Sequence, residues 1–117
     1  MAVRLRGEVR LGPEIETFSG AVLHVYLEDV SLADAAATET ANISIAGLAH
    51  QNGRASSWPF ELEAGSIDQR AHYAVRAHVD RHGGGQIQPG DYVSTQSYPV
   101  LTFGNSDRVT IEVRQVR

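Results

Sequence analysis

Residues Ala71 to His82, which read AHYAVRAHVDRH, constrain this chain more than any other stretch. Tyr73, Val75, Ala77 and Val79 share one parity, while His72, Arg76, His78, Asp80 and His82 share the other. That period of two is the mark of a strand with one face in a core and the other toward solvent. Gly83-Gly84-Gly85 closes the strand and reads as a flexible hairpin tip. Upstream, Ile67-Asp68-Gln69-Arg70 is too short for a helix and leads straight into Tyr73, as does the corner before a central strand in two-sheet sandwiches. In such corners the tyrosine ring enters the core and its hydroxyl bonds to backbone a few residues upstream. Tyr73 is therefore expected to reach backbone near Ile67 or Asp68.

The same alternation recurs along the chain. Val3, Leu5, Gly7, Val9 and Leu11 alternate with Arg4, Arg6, Glu8 and Arg10 up to the stop at Gly12-Pro13. Ala21, Leu23, Val25 and Leu27 form the inward set of a second long strand. Ser31 to Thr40 has too few periodic apolar positions to dock a helix and reads as a loop between two sheets. Alternation resumes over Asn42 to Leu48, Asn52-Gly53 suits a tight hairpin, and Trp58, Phe60 and Leu62 point inward from the next strand. Pro59 cannot donate to a ladder, which places that strand at an edge or a bulge. Pro89-Gly90-Asp91 reads as a turn, Tyr92 to Leu101 as one extended run broken by Pro99, and Val109, Ile111 and Val113 as the inward set of the last strand. Seven to eight strands with no competing helix predict an all-β, two-sheet antiparallel β-sandwich of immunoglobulin or transthyretin type. A barrel is less expected, because up-and-down barrels mostly use short hairpins and the Ser31–Thr40 link is long.

At 117 residues the chain suits one domain, 1–117, around a single core. A net charge of -4 argues against nucleic-acid binding, which calls for a basic stripe. With no cysteine there is neither a disulfide framework nor a thiolate metal site. No window approaches the ~20 apolar residues of a membrane helix, and the N-terminus alternates where an export signal would be continuously apolar. A chain that starts this way is expected to stay cytoplasmic unless a leader has been removed.

Candidate chemistry is sparse. His78, Asp80 and His82 lie on one strand face with Cβ atoms ~6–7 Å apart at each step, near enough for zinc or copper if the side chains converge. No further ligand or orienting carboxylate for each imidazole is in view, so these residues, like His24 and His72, are expected to be solvated and to bind no metal. Neither a nucleophile elbow nor a phosphate loop is present, so no catalytic residue and no cofactor is expected.

One resemblance reaches along the chain. Gly20 to Ala35, Trp58-Pro59-Phe60-Glu61-Leu62, Ile67-Asp68, Tyr73-Ala74-Val75-Arg76-Ala77 and Tyr98-Pro99-Val100-Leu101-Thr102 together resemble the YbaY/YscW family. These are small bacterial envelope lipoproteins, among them the lipoprotein chaperones, or pilotins, of type III secretion. The resemblance implies a β-sandwich without catalytic activity that sits in the periplasm or cell envelope and acts on a protein client, a secretin in the pilotins. It fixes no oligomeric state. Trp58, Pro59 and Phe60 are the expected contact residues, through a sheet edge or a groove beside their strand. A fully buried Trp58 would leave only backbone edges for a client. The alternative is a β-domain that binds a small molecule or metal through its histidine face or end loops.

Overall fold

A computed structural model describes residues 3–32 and 36–117. The described residues contain no helix, and therefore none long and apolar enough to cross a membrane. Eight strands follow one another: β1 (Arg4–Leu11), β2 (Phe18–Asp29), β3 (Thr38–His50), β4 (Ser56–Glu63), β5 (Tyr73–Asp80), β6 (Tyr92–Ser94), β7 (Tyr98–Val100) and β8 (Arg108–Gln115). The run read as one strand from Tyr92 to Leu101 is two short strands, β6 and β7, and both pair with β5.

The all-β expectation holds, but the strands are not divided into two sheets. They form one hydrogen-bonded path, β3-β2-β5-β6-β8-β1-β4, with β7 joined to β5, and the path curls into a nearly closed barrel. β8 is the reason. Residues Arg108 to Glu112 pair in parallel with Arg6 to Arg10 of β1, and Val113 to Gln115 pair antiparallel with β6. One strand thus stitches together what would have been two layers, and does so with a parallel pair where the alternation suggested only antiparallel ones. The link after β2 also departs from expectation. β3 begins at Thr38 and lies directly beside β2, with Asp29 opposite Thr38, so this link joins neighbours in one sheet and does not cross between sheets.

The parity reading of the core stands. Leu5, Val9 and Leu11 of β1, Ala21 to Leu27 at alternate positions of β2, Tyr73 to Val79 at alternate positions of β5, and Ile111 and Val113 of β8 are all buried. Gly7 continues the inward row of β1 because nothing larger fits. A Cβ there would meet the carbonyl oxygen of Val109 and lie 2.9 Å from the Phe60 ring. The corner also forms as expected, with Tyr73 6% exposed and its hydroxyl accepting the Asp68 N–H at 2.9 Å.

Candidate functional site

Two places collect chemistry, and the first is the far end of β5. On that strand, His78 and Asp80 were expected to face solvent with His82, yet both are buried. β5 is a central strand, and the segment 81–91 folds back over its outer face, so the polar parity is covered there as well as the apolar one. Asp91, read from sequence as a turn residue, completes the cluster.

The two carboxylates work as backbone acceptors. Oδ1 of Asp80 takes the N–H groups of His82 and Gly83 at 3.0 and 2.8 Å, while Oδ2 takes Gly85 N–H at 2.8 Å and His24 Nε2 at 3.3 Å. Oδ1 of Asp91 takes Arg81 N–H and His82 Nδ1 at 3.0 and 2.9 Å; Oδ2 takes His78 Nε2 and Gln88 N–H at 2.8 and 3.1 Å. Burial disfavours the charge on Asp80, but the N–H groups of Gly85, Gly83 and His82, with His24, outweigh it and hold its pKa at about 2. Burial likewise opposes the charge on Asp91, and His78 together with the N–H groups of Arg81 and Gln88 overcomes it and lowers the pKa. The triglycine segment is therefore clamped at its base, where the sequence suggested a free tip.

His78, Asp80 and Asp91 place potential ligand atoms within 4.8 Å of one another. A carboxylate has about four lone-pair positions, and each of these two already accepts four hydrogen bonds. An ion would have to displace the contacts that hold the loop, so the cluster is suited to clamping and poorly suited to coordination. His24 also leaves the solvated role expected of it, bonding Ser44 Oγ through Nδ1 at 2.9 Å while its Nε2 meets Asp80.

The second place is the seam of the barrel. β3 and β4 end the hydrogen-bonded path on either side and do not pair with each other among the described residues. Pro59 thus sits on an edge strand, as its missing N–H requires, opposite Glu8 of β1. Trp58 is half-buried against the core, its ring 6.4 Å from that of Phe18, which stacks in turn on Tyr92 and His50. Phe60 is buried over Gly7 and supports the edge from beneath. The three expected contact residues are thus split: Trp58 and Pro59 reach the surface and Phe60 does not.

On the opposite edge, Ala41, Ile43 and Ile45 face Leu27, Val25 and Leu23 of β2 but are only half-buried, because no strand covers their other side. The sequence reading did not single them out. A signal was present, since Thr38 to His50 carries a single acidic or basic residue, Glu39, apart from the terminal histidine. His50 closes the turn between the two edges, with Nδ1 2.6 Å from Ser56 Oγ and Nε2 3.2 Å from the Ile15 carbonyl oxygen.

Comparison with known proteins bears on the fold as a whole. A solved structure of an alternative pilotin from the type II secretion system of Vibrio cholerae superposes with a TM-score of 0.79 at 27% sequence identity, covering 100% of this chain and 99% of that one. Among curated proteins no sequence matches. The family model described as type III secretion system lipoprotein chaperone (YscW) matches residues 1–113, and the chain belongs to that family.

Proposed function

We propose that this chain is a non-enzymatic protein-binding module of chaperone type that holds a client segment at the seam between β3 and β4. The observation that carries the reading is the unclosed path itself: β3 and β4 each leave an edge unpaired among the described residues, and Trp58 on one and Ile43 and Ile45 on the other are only half-buried against the apolar core. Half-exposed large apolar side chains beside free backbone edges are what a peptide-binding surface requires. Membership in a family of secretion-system lipoprotein chaperones, and likeness to a pilotin, support a client of the secretin kind and a place in the cell envelope. Trp58 and Pro59 lie at the contact, with Phe60 beneath them.

The test is crosslinking in envelope extracts from a photoreactive residue at Pro59, with Trp58 fluorescence followed on client addition. Capture of one protein, lost when Ser57→Arg places a charge on this edge beside the photoreactive position, is the expected result. Equal capture by the charged-edge variant refutes the reading.

A further inference from the structure

We propose that the client enters the seam as an extended strand that adds to the free edge of β3, and does so there and not on β4. The inference rests on the client-binding reading above and fixes the form of the bound segment. Along a sheet edge every second residue directs its N–H and C=O outward, and an edge left long and uncharged is a template for another strand. β3 is such an edge. It runs from Thr38 to His50 with no proline, and its ladder with β2 is regular from Ala41 opposite Leu27 to Ile45 opposite Leu23.

The other edge is defended. Pro59 interrupts the donors of β4, and Glu61 and Glu63 stand on its exposed parity, Glu61 joined to Arg4 at 3.3 Å. Proline and charge are the devices that keep strands from pairing edge to edge. β3 lacks both over Ala41–Ile45, and the contrast between the two lips of one seam is what selects β3.

Side chains specify the client further. Ala41, Ile43 and Ile45 point inward and are half-covered, while Asn42 and Ser44 point outward and are exposed. A strand laid against them sets one parity of its own beside Ile43 and Ile45, at the opening of the core, and the other beside Asn42 and Ser44. The matching ligand is therefore a segment of about five to six residues, apolar at alternate positions and polar between, since five residues of strand span ~17 Å. A bound helix would cover the isoleucines yet leave the outward N–H groups of β3 to water.

A library of displayed random peptides about twelve residues long, panned against the full chain, tests this. The enriched peptides are expected to show apolar residues at period two. A synthetic copy should lose affinity about tenfold or more when N-methylated on one parity and keep it when N-methylated on the other, since only one parity donates to β3. Amide exchange should slow at alternate residues of Ala41–Ile45. Ile43→Glu should abolish binding while β2 and β5 amides keep their protection, which shows that the variant is folded. Enrichment at period 3.6, N-methylation effects without parity, or dimers of the chain joined through β3 overturn strand addition. If crosslinking from Pro59 still captures a client in any of those cases, client binding survives and only its form is wrong. If no peptide is enriched over the Ile43→Glu control and no client is captured, both readings fall.

Discussion

Replacing Asp80 by Asn keeps the shape of the side chain and removes its charge, which isolates what the clamp contributes. In the folded protein the Asp80 carboxyl has its pKa lowered from 3.8 to about 2, with burial opposing the shift and the N–H groups of Gly85, Gly83 and His82 driving it. At 1.36 kcal/mol per unit that preference for the ionised form is worth about 2 kcal/mol. The folded pKa lies below the unfolded one, so the contribution is complete above about pH 5 and is lost as pH falls through 4 toward 2. An asparagine amide oxygen can still accept from His82 and Gly83, but its NH2 group then faces the Gly85 N–H, donor against donor. One donor turned out of its hydrogen bond and one charge-assisted set weakened together predict a loss of about 2–3 kcal/mol at pH 7. Urea unfolding of both proteins at pH 7 and pH 3 measures it. The gap should narrow by about 1 kcal/mol at pH 3, because by then the native carboxylate has lost part of its advantage while the amide, which does not titrate, has lost nothing. Acid effects on the other carboxylates are common to both proteins and cancel in the difference. A gap at pH 7 below about 0.5 kcal/mol, or one that does not change with pH, refutes the clamp.

Further outcomes follow from single contacts. Tyr73→Phe removes the acceptor of the Asp68 N–H in a buried corner and should cost roughly 1 kcal/mol in urea unfolding, with no loss if the corner is incidental. Gly7→Ala drives a methyl into the Val109 carbonyl across the parallel β1–β8 pair, so the expected loss is about 3 kcal/mol or failure to fold, seen as a fall in thermal midpoint; a midpoint within about 2 °C of the parent contradicts the close approach. Calorimetry with zinc and with copper should show no sub-micromolar binding, because the lone pairs of Asp80 and Asp91 are committed to the loop. Tight binding that disappears in a His78→Ala, His82→Ala double variant would show that the carboxylates do give up those contacts.

Much of the site escaped the sequence for one reason. A period of two tells which residues share a face but not whether the outer face meets solvent. On β1 and β8 it does; on β2 it is half-covered, and on the last residues of β5 a returning loop covers it. Asp91 was legible only as a turn residue because the partners that bury its charge, His78, Arg81 and His82, lie nine to thirteen positions away and meet it through the fold. Pro59 was legible as an edge or bulge residue because a missing N–H is a local property that no tertiary context restores. That Trp58 stays half-exposed while Phe60, two residues on, is buried was not, since both share a parity.

The sequence by itself determined that the chain is all-β, which residues of β1, β2, β5 and β8 face the core, where Tyr73 turns its corner, and that β4 carries an edge or a bulge at Pro59. Each of these follows from alternation, from a turn or from a single residue's backbone chemistry. Only the tertiary structure decided whether the strands close as two sheets or as one curled path. That choice rests on β8 changing partners between Glu112 and Val113, with β1 on one side and β6 on the other. Strand pairing of this kind is a long-range matter: a residue's parity is the same whichever neighbour it meets, so the pattern that names the inward face carries no information about which strand lies alongside.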